Sequence, residues 1–152
     1  MSRPQVDPAR LEPDRYPLRF DTRVMFSDVD AYRHGNNVAI ARFFEEGRVE
    51  LTGRVFGLAA MIDPPPGRQV LLASLHVDYR AQLGYPGTVT VTSAVERVGT
   101  SSFVIVHGLF SAGGCVALAD TVMVKAVDGA ASPLSEDERA ALAALRTAGP
   151  TG

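Results

Sequence analysis

The sequence predicts an α+β fold in which one antiparallel β-sheet packs against a single long helix. The first observation is a helical pattern that begins near Asn36 and ends near Gly53 or Gly57, after one short strand at residues 19–27. The second is a segment, residues 69–127, that is rich in Val, Thr, Ile and Phe and is interrupted by short glycine-containing turns. A strand, a long helix and then four consecutive strands favour one antiparallel sheet with a helix on one face.

The chain before the helix divides into two predicted parts. Residues 1–17 contain four prolines among charged side chains, so we expect an extended or disordered N-terminal arm. The main domain is predicted to span residues 18–130. Its first strand, at residues 19–27, would place four side chains on one face: Phe20, Thr22, Val24 and Phe26.

The long helix has a recognisable start and a recognisable buried face. Asn36 or Asn37 is the predicted N-cap. Gly47 should cost about 1 kcal/mol relative to alanine in a helix interior, and its small size would let the helix lie close to the sheet. Helical spacing predicts a buried stripe of five residues: Ile40, Phe44, Gly47, Leu51 and Val55.

The remaining strands are predicted at residues 70–79, 88–97, 102–110 and 115–127. Residues 131–152 are predicted to form a short C-terminal helix and tail. The spacing of Ser135 and Glu138 is that of a capping box, which marks the start of this helix.

Composition and charge exclude several classes of protein. The 152 residues, with 46% hydrophobic and 21% charged side chains, are typical of one soluble globular domain. A net charge of −2 gives no electrostatic reason to expect a nucleic-acid or membrane partner. The sequence has no run of membrane-spanning length and no signal-peptide pattern, and its single cysteine, Cys115, fits a reducing compartment. We therefore expect a cytoplasmic protein.

The most informative segment for function surrounds the start of the long helix. Asp28 and Asp30 precede a polar turn at residues 33–37, and the helix follows directly. A carboxylate is thus close to a helix N-terminus, where unpaired N–H groups stabilise developing negative charge. These are the minimal components of an acyl-transfer site. The alternative is that both acids only cap a turn, as aspartate often does.

The pattern V-x-F-x-D-x-D-x-x-x-H-x-N-N, followed by F-F-E-E-G-R, resembles the hotdog-fold acyl-CoA thioesterases, specifically the 4-hydroxybenzoyl-CoA thioesterase-like family. Weaker similarity extends over residues 19–128. The matching positions are Val24, Phe26, Asp28, Asp30, His34, Asn36, Asn37, Phe43, Phe44, Glu45, Glu46, Gly47 and Arg48.

This resemblance implies a hotdog fold, in which a five-stranded antiparallel sheet wraps around one long central helix. It also implies acyl-thioester hydrolysis, with coenzyme A as part of the substrate and no other cofactor. The expected assembly is a homodimer or homotetramer, with two sheets joined edge to edge and the active site between subunits. A lone sheet covered by one helix would leave its edges exposed, which independently favours at least a dimer.

The resemblance also assigns roles to residues near the helix start. Asp30 corresponds to the catalytic acid, as nucleophile or general base, and Asp28 is expected to be structural. The backbone N–H of Asn37 corresponds to the group that polarises the thioester carbonyl. His34 is expected to orient Asp30 or to contact substrate, and the alternative is that it is only a turn residue.

Glu46 is the rival catalytic residue, because another hotdog branch uses a helix glutamate. The alternative for Glu46 is a solvated, salt-bridged helix face, since Arg42 and Glu50 lie four residues away on either side. Glu50 in turn is spaced to pair with Arg54.

The sequence defines the substrate-binding residues less specifically than the catalytic ones. Family members commonly have glycine at the position of Arg33, and often an aliphatic residue at Gly35, which leaves acyl preference open. Few basic residues flank the turn before Ser102, so a carrier-protein substrate stays open beside acyl-CoA. No metal site is predicted, because the three histidines lack ligand spacing. The predicted substrate-binding residues are Arg33, Asn36, Tyr79, Arg80, Arg97 and Ser102.

Two other functions remain open at this stage. One is a non-catalytic hotdog protein that binds an acyl thioester. The other is a hotdog dehydratase or hydratase, which would act on an enoyl thioester and leave the thioester intact.

Overall fold

The computed structural model describes residues 5–147, so the ends of the predicted arm and tail, residues 1–4 and 148–152, lie outside the described residues. Within this range no helix is long and apolar enough to cross a membrane. The elements are β1 Leu18–Arg23, α1 Asn37–Phe56, α2 Leu58–Ile62, β2 Arg68–Tyr79, β3 Thr88–Val98, β4 Ser102–Ser111, β5 Gly114–Val127, β6 Ala130–Ala131 and α3 Glu136–Ala143.

The strands form one antiparallel sheet in the order β1-β3-β4-β5-β2. The short strand β6, which was not predicted, pairs with β5. Helix α1 packs on the inner face of this curled sheet against β3 and β4. The predicted hotdog architecture is therefore confirmed.

Helix α1 begins and buries itself as its sequence predicts. The Asn36 side chain is the N-cap and accepts a hydrogen bond from the Val38 N–H at 2.8 Å. Gly57 ends the helix with a φ of 85°, a conformation that favours glycine. The predicted stripe is confirmed, with Val55 half-buried and four members buried: Ile40, Phe44, Gly47 and Leu51.

Gly47 sets the distance between α1 and the sheet. A Cβ atom at this position would lie 2.7 Å from Ser93 Oγ and 3.0 Å from Val91 Cγ1. Both distances are too short for carbon, so the helix could not keep its present position over β3 with a larger residue. The predicted reason for a glycine inside this helix is confirmed.

Replacing Gly47 by alanine is expected to lower the free energy of unfolding by about 1–3 kcal/mol, because overpacking outweighs the better helix propensity of alanine. Gly53→Ala in the same helix is the matched control, since a Cβ there meets no atom closer than 3.7 Å. It should stabilise by up to about 1 kcal/mol. Urea denaturation measures both, and equal effects of the two substitutions would contradict this account.

The chain between β1 and α1 differs from the prediction. Strand β1 ends at Arg23, and residues Phe26–Asp28 form a 3-10 turn closed by a hydrogen bond from the Met25 N–H to Asp28 Oδ2 at 2.8 Å. Phe26 is consequently exposed and does not share the buried face of the strand. Asp28 and Asp30 lie beyond the strand rather than at its end.

The N-terminal arm also differs from the expected extended or disordered segment. Pro8–Leu11 and Pro13–Arg15 are 3-10 helices, each with a proline at its first position. Tyr16 is buried, its ring packs edge-on against Phe110, and its hydroxyl donates to the Arg10 carbonyl at 3.0 Å. The arm therefore covers part of the outer face of the sheet.

The C-terminal helix is confirmed, and so is its capping box. The Glu138 N–H donates to Ser135 Oγ at 3.1 Å, and the Ser135 N–H donates to Glu138 Oε2 at 2.8 Å. Glu138 also pairs with Lys125 and Arg68, which ties α3 to strands β5 and β2.

Strand β2 forms a long and unprotected edge of the sheet. It is twelve residues long, and most of its side chains are exposed on both faces. Exposed, long and apolar edge strands are templates for pairing with another chain. The exposed apolar side chains on this edge are Leu71, Leu72, Leu75 and Tyr79.

Candidate active site

One open cavity at the N-terminus of α1 collects half of the predicted site residues. Its volume is roughly 380 Å³, and it lies between the 30–37 loop and the segment that follows β2. The predicted residues that line it are Asp30, His34, Asn37, Tyr79 and Arg80.

Asp30 is held in the cavity by a tight turn. Its Oδ1 accepts a hydrogen bond from the Tyr32 N–H at 2.9 Å, and its backbone N–H donates to the His34 carbonyl at 3.0 Å. Within residues 5–147 no hydrogen bond engages its Oδ2. One oxygen thus fixes the carboxylate while the other stays free, so the turn-capping and catalytic interpretations are compatible.

Asp28 has a different environment, which agrees with its expected structural role. The carboxylate is buried and accepts from Arg42 Nη2 at 2.6 Å and from the Met25 N–H at 2.8 Å. Its backbone carbonyl accepts from the Asn36 N–H at 2.7 Å. Asp28 therefore fastens the loop to the first turns of α1.

The first turn of α1 presents an unused donor to the same cavity. The Asn36 side chain satisfies the Val38 N–H, whereas the Asn37 N–H has no acceptor in the described part of the chain. Such N–H groups at a helix start stabilise negative charge on a ligand. Asn37 and Asp30 thus offer an electrophilic and a nucleophilic group to one space.

Three predicted residues lie away from this cavity in the single chain. Glu46 is exposed on the opposite flank of α1, in a depression shared with Phe20 of β1. Arg97 and Ser102 lie beside the turn between β3 and β4.

The ion pairs around Glu46 match the spacing only in part. Arg42 pairs with Asp28 rather than with Glu46, whereas the pair between Arg54 and Glu50 is present at 3.1 Å.

The model of the thioesterase-like superfamily matches residues 24–142 of the sequence. The chain belongs to the thioesterase-like superfamily. The match covers the 30–37 loop, α1 and the whole of β2 to β5. No curated protein matches the sequence significantly.

Solved structures similar to this thioesterase-like chain cover nearly all of it. The PA5185 protein from Pseudomonas aeruginosa is 26% identical, with a TM-score of 0.76 over 89% of this chain and 95% of its own. A predicted thioesterase from Bacillus stearothermophilus is 26% identical, with a TM-score of 0.74 over 85% and 97%. A thioesterase from Thermus thermophilus, solved with coenzyme A and Zn, is 24% identical, with a TM-score of 0.74 over 84% and 98%.

Arg33 of this thioesterase-like chain adopts a backbone conformation that suits glycine. Its φ is 62°, in the left-handed region, where a Cβ atom causes strain. This explains physically why glycine is common at this position in the family that the loop resembles. Arginine here retains the turn at some cost in stability.

Arg33→Gly is expected to raise the free energy of unfolding by up to about 1 kcal/mol, because glycine removes the left-handed strain. Arg23→Gly is the control, since Arg23 lies in β1, where glycine should destabilise by about 0.5–1 kcal/mol. Chemical denaturation of both variants gives the comparison. A destabilised Arg33→Gly variant would show that the arginine side chain contributes more than its backbone costs.

Gly35 departs from the family pattern for a packing reason that sequence alone does not show. A Cβ at Gly35 would lie 2.6 Å from Leu83 Cβ, and the Gly35 N–H donates to the Leu83 carbonyl at 2.7 Å. Leu83 therefore fills the space of the missing side chain. This contact positions the 30–37 loop of the thioesterase-like chain against the segment after β2.

The residues that follow Arg80 in this segment were not predicted from the sequence to belong to the site. Ala81, Gln82 and Leu83 line the cavity together with Arg80. The Arg80 and Ala81 N–H groups both donate to the Val116 carbonyl, at 2.8 and 3.0 Å, which bends the chain away from β5. No local pattern marks this bend, because its acceptor lies on another strand.

Proposed function

We propose that this protein hydrolyses acyl-CoA thioesters in the cavity at the N-terminus of α1. The observation that carries the proposal is that Asp30 and the unengaged Asn37 N–H border one space. Membership of the thioesterase-like superfamily supports the reaction class. In this proposal Asp30 supplies the nucleophile or general base, and Asn37 N–H polarises the thioester carbonyl.

The reaction follows from these two groups. The Asp30 carboxylate attacks the carbonyl carbon, or removes a proton from a water that attacks it. Negative charge then develops on the carbonyl oxygen, where a positioned N–H donor contributes about 10²–10³ in rate. Collapse of the tetrahedral species breaks the C–S bond and expels the coenzyme A thiolate. In the nucleophilic route this leaves a mixed anhydride on Asp30, which water cleaves to the carboxylic acid and the free Asp30 carboxylate. In the general-base route the carboxylic acid forms directly, and the proton on Asp30 passes to the thiolate.

The choice of coenzyme A as thiol carrier is supported by charge and by a relative. Arg80 lines the cavity, and guanidinium binds phosphate through paired hydrogen bonds. Arg33 is an exposed cation in the 30–37 loop that forms one wall of the cavity. The Thermus thermophilus thioesterase was solved with coenzyme A. Arg80 is held by Asp78 at 2.8 Å, so its direction is fixed before any ligand binds.

We further propose that the active form is a homodimer joined along β2. This strand is the long exposed edge, and Tyr79 at its end lines the cavity. A second copy paired along β2 would cover the exposed leucines and complete the wall next to Tyr79. A homotetramer would then be an association of two such dimers.

Hydrolysis in ¹⁸O-labelled water tests the reaction class in one experiment. The purified protein is incubated with acyl-CoAs that are short, long, branched, aromatic or α,β-unsaturated. The proposal predicts free thiol together with ¹⁸O in the released carboxylate. Label on the carbon skeleton of an intact enoyl thioester would indicate a hydratase, and thioesters recovered unchanged would indicate a binder.

A further inference from the structure

A group of buried polar side chains lies between α1 and the sheet, beyond the proposed reaction centre. Arg48 projects from α1, His107 from β4 and Thr121 from β5, and we call these three residues the inner polar cluster. His107 and Thr121 have no exposed surface, and Arg48 is 9% exposed. Burying a polar side chain costs free energy unless a hydrogen bond inside the protein replaces its bonds to water, so buried polar groups normally have a partner.

Sheet register brings the cluster together. Thr121 pairs with Ile105, two residues before His107 on the same face, so Thr121 and His107 are diagonal neighbours. The Phe44 ring lies 5.7 Å from the His107 ring, and Arg48 is one helical turn after Phe44. The Arg48 charge acts on His107 strongly enough to depress its pKa further than burial alone.

Each member of the cluster carries a polar atom without a partner. Arg48 Nη1, His107 Nε2 and Thr121 Oγ1 are buried and form no hydrogen bond with residues 5–147. The one ion pair of Arg48 runs from Nη2 to the exposed Glu45 at 3.7 Å, on the solvent side. Three unsatisfied atoms on three adjacent elements indicate a site that an additional polar group would complete.

The chemistry of the three atoms selects that group. Burial lowers the pKa of His107 to about 3, so the imidazole is neutral. Ser93 Oγ lies 2.9 Å from His107 Nδ1. In the tautomer in which Nδ1 accepts from the Ser93 hydroxyl, Nε2 carries the ring proton and is an N–H donor. Arg48 and Thr121 also donate. One cation and two neutral donors match a carboxylate, which accepts from several directions and balances the buried charge.

The cluster lies on the same flank of α1 as the reaction centre. Asn37, Ala41, Phe44 and Arg48 follow each other at spacings of four, three and four residues, which is one stripe of a helix. Glu46 is on the other flank, beside β1. At 1.5 Å per residue, Arg48 is about 16 Å along the axis from Asn37, and helical side chains lean back toward the N-terminus.

Part of the inner face of β2 lies uncovered beside this flank of α1. Helix α1 lies over β3 and β4 and does not cover the inner face of β2 beside this flank. On that face the side chain of Leu75 is exposed and that of Val77 is half-buried. An acyl chain whose carbonyl is at Asn37 can therefore run along the helix flank, with apolar atoms on both sides. Its far end then arrives at the inner polar cluster.

Resting on the proposed thioesterase function, we infer that the inner polar cluster binds a carboxylate at the far end of the acyl group. The substrate class is then the mono-CoA thioester of a medium-length dicarboxylic acid.

Substrate pairs of equal length test this inference. Thiol release is measured with decanoyl-CoA against decanedioyl-CoA, and with dodecanoyl-CoA against dodecanedioyl-CoA. The wild-type kcat/KM is expected to favour the carboxyl-ended member of a pair by at least about tenfold, as for a charged hydrogen-bonded group. Arg48→Met retains the length of the side chain and should abolish this preference by lowering kcat/KM only for the carboxyl-ended member. Arg54→Met, an exposed position on the same helix, should leave the preference unchanged.

A binding measurement separates failure of this inference from failure of the proposed function. Free decanoate, which carries one carboxylate, should raise the Tm of the wild type more than the neutral decanamide of equal length, and Arg48→Met should lose the difference, whether or not any thioester is hydrolysed. If Arg48→Met does not fold, Thr121→Val is used in its place, and the wild-type comparison stands without either variant. Equal wild-type kcat/KM within each pair, or equal Tm shifts from decanoate and decanamide, would show that the cluster holds only water and would overturn the inference.

Discussion

Replacing Asp30 by asparagine is expected to lower kcat for thioester hydrolysis by about a thousandfold, because a carboxamide neither attacks a carbonyl nor removes a proton from water. The turn should survive the change, since the asparagine Oδ1 can accept the same hydrogen bond from the Tyr32 N–H. Thiol release, Tm and oligomeric state are measured on the same preparation. A large loss of kcat with unchanged Tm would assign Asp30 to the chemistry rather than to the turn.

Two further variants make this comparison specific. Glu46→Gln should retain kcat to within about twofold, since its side chain is exposed on the other flank of α1 and surface substitutions have small effects. Asp28→Asn should instead lower Tm, because it breaks the pair with Arg42 at 2.6 Å. Turnover that survives in Asp30→Asn and is lost in Glu46→Gln would make Glu46 the catalytic residue and leave Asp30 with only a role in the turn.

The second large effect is expected at the edge of the sheet. Leu71→Asp should convert a dimer into a monomer and reduce kcat at least about a hundredfold, because a charge on an edge strand opposes pairing and the site loses its second wall. Light scattering after size-exclusion chromatography gives the mass, and thiol release gives kcat. Leu11→Asp, an exposed leucine on the N-terminal arm, is the control and should stay dimeric.

A wild-type protein that is monomeric and fully active would refute the shared-site arrangement. A Leu71→Asp variant that remains dimeric would place the interface elsewhere on the surface.

The parts of the fold that sequence predicted well depend on local patterns. The N-cap at Asn36, the buried stripe of α1 and the glycine at Gly47 all follow from spacing within one helix. Local spacing also marked Asp30 and the helix start as a candidate site, because the acid and the helix start are only a few residues apart, and the family resemblance assigned the roles of Asp30 and Asn37. Their shared cavity follows from that closeness.

The parts that sequence missed depend on contacts between distant segments. The prolines of the N-terminal arm suggested an extended or disordered segment. The contact that orders Tyr16 is with Phe110 on β4, which is far away in the sequence and leaves no local pattern. Arg48 looks like an ordinary helix-surface residue until the sheet register places His107 and Thr121 beneath it. Arg97 and Ser102 lie beside the turn between β3 and β4, away from the cavity of the single chain, and their role in substrate binding stays a prediction.

The most direct test of the proposed site is a crystal structure of Asp30→Asn with an intact acyl-CoA bound. The account predicts the thioester carbonyl oxygen about 3 Å from the Asn37 nitrogen, with the carbonyl carbon facing the side chain at position 30. The acyl group should extend along α1 toward Arg48. A thioester found beside Glu46, or one whose carbonyl points away from the start of α1, would contradict the central claim.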